Sequence, residues 1–143
     1  MVKSEDLADL RAGETVILSG EIITMRDRAH HRIVAGGVNP PLDIKGAVIY
    51  HCGPLIKNNR IISAGPTTSA RMEPYMKDLA AKYGVSAFIG KGRIRRDLLQ
   101  DLSDLGCIYL LFPGGCGALA ASSVKLVKDI YWQDLGPPEA VYH

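Results

Sequence analysis

The sequence predicts a layered α/β fold with a partly parallel sheet. Its second half alternates short apolar runs with segments of helical periodicity, which is the pattern of βαβ units. Its first half is richer in β-branched residues and turns. The chain has 143 residues, of which 47% are hydrophobic and 22% are charged, and this is enough for a substantial core. We therefore expect a single domain over residues 1–143.

Composition argues against several classes of protein. The net charge is +2, and the basic residues are not interleaved with aromatic ones, so a nucleic-acid surface is not expected. No apolar run approaches the ~18 residues that a membrane span needs, and the acidic N-terminal segment does not resemble a signal peptide. The cysteines, Cys52, Cys107 and Cys116, are odd in number and form no CxxC pair. This pattern predicts a reducing compartment, and we expect the protein to be cytoplasmic.

The first half predicts mainly strands and turns, because its apolar runs are short and rich in valine and isoleucine. The predicted elements are, in order, a strand over residues 15–23, a helix capped by Asp27 and running to Val34, a strand over 47–50, a polar turn over 57–60 and a return strand over 61–64.

The second half predicts helices between strands. Met72, Met76 and Leu79 recur at helical spacing, and the uninterrupted apolar run over residues 107–112 is typical of a buried parallel strand. The predicted elements are, in order, a helix over residues 70–83 closed by Gly84, a strand over 85–89, a helix over 94–105 closed by Gly106, a strand over 107–112, a glycine turn over 113–117 and a strand within 124–143.

The segment from Ser63 to Met72 carries the strongest functional signal. Gly65 and Pro66 break an apolar run, and each residue of 67–69 (Thr67, Thr68 and Ser69) is able to cap a following helix. The unpaired N–H groups of a helix start, together with the guanidinium of Arg71, suit a small anion. The alternative is an ordinary capped helix with a solvated arginine.

Four turns place polar groups directly after apolar segments, namely residues 24–27, 65–71, 90–92 and 113–117. Ligand groups gather at such strand ends in layered α/β folds. Arg26, Arg71 and Lys91 together would form a strongly cationic pocket that matches a dicarboxylate. Alternatively, Arg26 pairs with a nearby acid and Lys91 lies in a solvated turn.

Thr67 and Thr68 are the candidate proton-transfer groups. A threonine hydroxyl is a weak acid and transfers a proton only where a neighbouring charge or dipole tunes it. Arg71 and a helix N-terminus would supply that tuning. The alternative for either hydroxyl is plain helix capping.

The histidines and cysteines give weaker signals. His30 and His31 either orient a ligand or are solvated, whereas His51 and Cys52 are expected to pack in the core. No Cys or His pair has the spacing of a zinc site. Cys116 lies in a glycine-rich turn, where a helix dipole would lower the pKa of its thiol, but a small packing residue is the commoner role.

Five motifs support a family resemblance, because they occur together and in order: Met25–His30, Tyr50–Pro54, Ala64–Met72, Gly90–Gly92 and Pro113–Leu119. With these motifs the chain, from about Gly13 onward, resembles the C-terminal domain of class I fumarate hydratases. That domain also occurs as the separate β subunit of two-component fumarase and of L(+)-tartrate dehydratase. One departure is the pair Ser69-Ala70, where Ala-Gly is usual.

The resemblance implies a swivelling β/β/α layered domain that acts with a partner α subunit, as a heterodimer or as a tetramer of two α and two β subunits. It implies a 4Fe-4S cluster held by the α subunit, with none bound by this chain. Arg26, Arg71 and Lys91 would hold the dicarboxylate, Thr67 would transfer the proton, and Thr68 would lie close to the substrate.

The implied activity is a hydro-lyase reaction, the reversible hydration of fumarate to L-malate in the tricarboxylic acid cycle. The alternative within the class is dehydration of L(+)-tartrate to oxaloacetate. A different class of function also stays open, namely a non-catalytic module that binds dicarboxylates or assists assembly.

Overall fold

A six-stranded mixed sheet lies at the centre of the computed structural model, which describes Leu7, residues 9–58 and residues 60–143. The fold class is α/β, as the sequence predicts. The strands, in chain order, are β1 (Ile23–Thr24), β2 (Val48–Tyr50), β3 (Leu55–Lys57), β4 (Arg60–Ser63), β5 (Ala87–Gly90), β6 (Ile108–Leu111), β7 (Ile130–Tyr131) and β8 (Val141–Tyr142).

The sheet is parallel through its first four strands. Its spatial order is β6-β5-β2-β1-β8-β7, and β3 and β4 pair separately as a hairpin. Strands β6, β5, β2 and β1 run parallel, whereas β8 is antiparallel to β1 and β7 is antiparallel to β8. The carboxyl ends of the four parallel strands therefore share one edge of the sheet.

The α-helices whose bounds lie within the described residues are α1 (Asp27–Val34), α2 (Glu73–Tyr83), α3 (Arg96–Asp104) and α4 (Gly117–Ser123). Side chains alternate between the two faces of the sheet, as the pleat requires. Ile49 and Phe88 join the core that includes residues of α1, α2 and α3, whereas Val48 and Ile89 join the core that includes residues of the hairpin and α4. The hairpin, the sheet and the three helices thus form β/β/α layers.

The predicted helix over residues 70–83 forms as α2, preceded by a single 3₁₀ turn over Ser69–Arg71. Its buried side chains, Met76, Leu79 and Ala80, lie on one stripe. Pro74 lies in the first turn, where it costs no hydrogen bond, and Gly84 ends the helix at φ 68°, which favours glycine. No helix among the described residues is long and apolar enough to cross a membrane.

The strand predicted over residues 15–23 is wrong for most of its length. Residues 15–22 form no strand, and Ile17 is 93% exposed. The chain bends at Gly20, whose φ is +118°, and β2 and β8 already flank β1. β-branched residues form a strand only where backbone pairing is available as well as a surface to pack on. Leu18 and Ile22 do pack against the core, but residues 15–22 make no strand pairing.

The buried strand predicted over residues 107–112 forms as β6, but it is not fully buried. It is the outer strand of the sheet, and Leu111 is 67% exposed. Cys107, just before the strand, is buried. The return strand predicted over residues 61–64 forms as β4, while Asn59 of the predicted turn lies outside the described residues.

Candidate functional site

The four polar turns predicted from the sequence meet at one edge of the molecule. Residues 24–27, 90–92 and 113–117 follow the carboxyl ends of the parallel strands β1, β5 and β6. Residues 65–71 follow β4, which belongs to the hairpin, yet they return to the same edge.

Main-chain hydrogen bonds attach this returning segment to the sheet. Isolated bridges pair Pro66 with Cys52 and Thr68 with Lys91. The N–H of Thr67 donates to the carbonyl of His51 at 2.7 Å, and the N–H of Lys91 donates to the carbonyl of Thr67 at 3.2 Å. The sequence predicts that Thr67, Thr68 and Lys91 belong to one site, and the structure places them next to each other.

The helix cap predicted at residues 67–69 is wrong. Helix α2 begins at Glu73, and neither Thr68 before the 3₁₀ turn nor Met72 before the helix makes a side-chain cap. The backbone of Thr67 and Thr68 is engaged with the sheet instead. The predicted cap at Asp27 is also wrong, since Asp27 is the first residue of α1 and Arg26 precedes it.

Arg71 supplies the charge next to the Thr67 hydroxyl. Its Nη2 donates to Thr67 Oγ1 at 2.6 Å. Its Nε and Nη2 also donate to the two carboxylate oxygens of Asp27, at 2.8 and 3.1 Å. These hydrogen bonds lower the pKa of Asp27 and raise the pKa of Arg71, so both groups are charged at neutral pH.

Arg26 approaches the site beside Gly53. A Cβ built on Gly53 would lie 2.5 Å from the carbonyl oxygen of Pro138 and 2.7 Å from Arg26 Nη1, so only glycine leaves room for both the main chain and the arginine. Arg26 Nε lies 3.5 Å from a carboxylate oxygen of Glu139, which is an ion pair without a short hydrogen bond. The sequence-based alternative of pairing with a nearby acid therefore holds for Arg26.

Lys91 forms no ion pair with any described residue. The side chain of Lys91 reaches the turn over residues 113–117, since a Cβ built on Gly114 would lie 3.8 Å from Lys91 Nζ. The strongly cationic pocket predicted from the sequence needs correction, because Asp27 and Glu139 offset two of the three cations. Formally, the site combines three positive and two negative side chains.

Two buried histidines, His30 and His51, lie beneath the site, so the alternative of a solvated His30 is wrong. His51 Nδ1 lies 2.8 Å from Ser69 Oγ, and His30 Nδ1 lies 2.8 Å from the carbonyl oxygen of Arg26. Since a carbonyl only accepts, the hydrogen of His30 is on Nδ1. The two rings pack edge to face at 5.1 Å. His31, by contrast, is exposed.

Burial keeps both histidines neutral. It lowers the pKa of His30 to about 4, and burial followed by the neighbouring His30 lowers the pKa of His51 well below its ordinary value. The expectation that His51 and Cys52 pack in the core is confirmed, since both are 0% exposed.

The cysteines of this chain do not fit an iron–sulfur cluster. A cluster needs several thiolates together, but Cys52 and Cys107 are both buried, and burial raises the pKa of each thiol to about 12. Cys116 is a third free cysteine, and no group of three His, Cys, Asp or Glu residues within the described part of the chain is arranged to hold a metal ion.

Comparison with known proteins identifies the family. The family model described as "Fumarase C-terminus" matches residues 1–143. The chain belongs to the fumarase C-terminus family. It is 41% identical to "Putative L(+)-tartrate dehydratase subunit beta" of Methanocaldococcus jannaschii, over 96% of this chain and 75% of the relative.

Two further members of the fumarase C-terminus family show how the unit occurs. The chain is 35% identical to "L(+)-tartrate dehydratase subunit beta" of Escherichia coli K12, over 99% of this chain and 72% of the relative. It is 35% identical to "Putative fumarate hydratase class I" of Geobacillus stearothermophilus, over 99% of this chain and 28% of that protein. The matched unit thus makes up most of the Escherichia coli subunit and a minor part of the longer Geobacillus stearothermophilus chain.

Gly90 tests the packing under the site. A Cβ on Gly90 would lie 1.7 Å from Ser69 Oγ and 3.2 Å from His51 Nδ1. We expect Gly90→Ala to lower the free energy of unfolding by roughly 1–3 kcal/mol, measured by urea denaturation. Gly65→Ala is the matched control, because its nearest neighbour would lie at an ordinary 3.6 Å. Equal stability of the two variants would contradict the packing described.

The buried histidines predict a loss of stability in mild acid. The pKa of His30 is lowered to about 4 from 6.5, so the unfolded chain binds more protons between these values. Stability falls as pH falls through this window, by up to about 3 kcal/mol for His30 alone. The check is urea denaturation at pH 7 and pH ~4, the two ends of this linkage window.

The matched variants are His30→Asn, which keeps a donor near the Nδ1 position, and His31→Asn on the exposed neighbour. We expect the first to reduce the dependence of stability on pH, with His51 accounting for the remainder, and the second to leave it as in the wild type. A slope unchanged by His30→Asn would mean that another group controls it.

Proposed function

We propose that this chain is the β-type subunit of a hydro-lyase that adds water to, or removes it from, a four-carbon dicarboxylate. Family membership and the names of the relatives support this class of reaction. The observation that carries the proposal is the hydroxyl of Thr67, held 2.6 Å from Arg71 Nη2 at an edge that also presents Arg26 and Lys91.

The cations are proposed to bind the two carboxylates of the substrate. Arginine and lysine are the side chains that bind carboxylates, and three positive and two negative side chains leave this edge a formal net charge of +1. As a proton leaves the carbon next to a carboxylate, negative charge builds on that carboxylate. Fixed cations stabilise this charge in the transition state more than in the ground state.

Thr67 is proposed to move the proton. Because Arg71 donates to Thr67 Oγ1, the hydroxyl keeps its own hydrogen for another partner. The neighbouring guanidinium also favours the ionised hydroxyl, which makes proton release easier. Thr68, bridged through its backbone to Lys91, would contact the substrate beside it.

We propose that a separate α subunit completes the site and carries the 4Fe-4S cluster, because the cysteines of this chain do not fit one. The α subunit itself is suggested by relatives that are named as β subunits. The site is open to such a partner, since the side chain of Arg71 is 47% exposed. The three free cysteines agree with a reducing compartment such as the cytoplasm.

Fumarate and L(+)-tartrate are both candidate substrates. The sequence favours fumarate, whereas the relatives include tartrate dehydratase subunits as well as a fumarate hydratase. The test is anaerobic co-expression with the candidate α subunit, followed by ultraviolet assays of fumarate hydration and of L(+)-tartrate dehydration. Activity that requires both chains supports the proposal. An intact complex that turns over neither substrate contradicts it and favours a non-catalytic module.

We expect Thr67→Val and Arg71→Ala to reduce turnover of the assembled enzyme at least ~100-fold, because each removes a group that acts in the transition state. Both side chains are partly or largely exposed, so thermal stability should change little. Arg60→Ala removes the same charge at the far end of the hairpin and is the control. Wild-type rates for Arg71→Ala in the complex would refute the assigned site.

A further inference from the structure

The guanidinium of Arg71 has a binding edge that is already filled. Arginine grips a carboxylate best through two parallel N–H groups. In this chain Nε and one N–H of Nη2 hold Asp27, and the other N–H of Nη2 holds Thr67 Oγ1. Within the described part of the chain, these bonds leave Nη1 as the guanidinium nitrogen that holds neither Asp27 nor Thr67. Arg71 therefore does not offer its usual fork to a substrate.

Asp27 connects two segments that are far apart in sequence. It is the first residue of α1, directly after Arg26, and it reaches Arg71 of the 3₁₀ turn. At a helix start its negative charge is also favoured by the unpaired N–H groups. The carboxylate is thus held on one side by α1 and fixes the guanidinium on the other.

The orientation of Arg71 decides where the Thr67 hydroxyl lies. The main chain of Thr67 is held by His51 and Lys91, but the hydrogen bond from Arg71 Nη2 is what the structure shows at its side-chain oxygen. If the guanidinium rotates about its long side chain, Nη2 leaves Thr67 Oγ1. A side chain with several free torsions keeps one orientation only when its polar atoms are fixed.

We infer that Asp27 is a positioning residue, which holds Arg71 in the orientation that places and activates Thr67 and leaves Nη1 for the ligand. The inference rests on the proposed function for its effect on turnover. It goes beyond that proposal by assigning a role to a carboxylate that does not touch the substrate.

The test uses the assembled enzyme and the variants Asp27→Asn and Asp27→Glu. Asparagine is isosteric but presents an amide N–H to the guanidinium, which breaks the paired hydrogen bonds. We expect Asp27→Asn to lower kcat on the order of 10–100-fold, the scale of a misplaced catalytic group, with a much smaller change in KM. Asp27→Glu restores the charge and should recover part of the loss.

Asp134→Asn is the matched control. Asp134 also holds an arginine through two hydrogen bonds, from Arg32, but it does so on the surface away from the candidate residues. This variant should keep wild-type kcat and KM. Thermal unfolding of each variant shows whether a loss of rate reflects a loss of folded protein.

A second readout does not depend on activity. In NMR spectra of the isotope-labelled chain, the Nε–H and Nη signals of Arg71 report whether its guanidinium is ordered. The signals are assigned by their loss in Arg71→Lys. We expect resolved signals in the wild type and averaged signals in Asp27→Asn.

Each outcome decides the inference. A fall in kcat with disordered Arg71 signals supports it, whereas wild-type kcat, tighter dicarboxylate binding without loss of rate, or an Arg71 that stays ordered in Asp27→Asn overturns it. If the wild-type complex turns over neither substrate, the proposed function fails by itself. The Arg71 signals of Asp27→Asn then decide whether Asp27 positions the guanidinium.

Discussion

The attachment of residues 66–69 to the carboxyl ends of β2 and β5 is the interaction on which the candidate site depends. Pro66 bridges to Cys52, and Thr68 bridges to Lys91. These are main-chain bonds, so they fix the segment independently of its side chains. Without them the hairpin would carry Thr67 and Arg71 away from the sheet, and Lys91 would stand alone on its turn.

Side chains under this attachment make it specific. Gly90 leaves room for Ser69, whose hydroxyl lies 2.8 Å from the buried ring of His51. His51 in turn packs against His30, which holds the carbonyl of Arg26. A polar group placed in the core is costly unless it is hydrogen-bonded, and these hydrogen bonds therefore hold the loops in one arrangement. The buried histidines thus support the loops that carry the cations and the Thr67 hydroxyl at the exposed edge.

The sequence predicts much of this fold, because its signals are local. Gly84 ends a helix, and the spacing of Met76 and Leu79 shows which face is buried, so α2 is readable from residues alone. The gathering of polar turns at one edge also follows from the parallel strands β1, β5 and β6. Contacts between residues that are distant in sequence could not be predicted from these local patterns.

The incorrect predictions arise from such contacts, or from their absence. Residues 15–22 have the composition of a strand, but they make no strand pairing. Thr67 and Ser69 have the chemistry of helix caps, but Arg71 and His51 compete successfully for their hydroxyls. The pairs Asp27–Arg71 and Arg26–Glu139 changed the charge of the site from strongly to weakly positive, and no local pattern announces either pair.

The parallel sheet has a consequence for how the site comes into being. Its residues are taken from strand ends between residues 26 and 91, so the site requires pairings of β1 with β2 and of β2 with β5. Pairings between strands far apart in sequence pay a large loop-closure entropy and form slowly during folding. The chain accordingly acquires the candidate site only after the strands between Ile23 and Gly90 have paired. A ligand that bound this edge only in the folded chain would draw the folding equilibrium towards the completed fold.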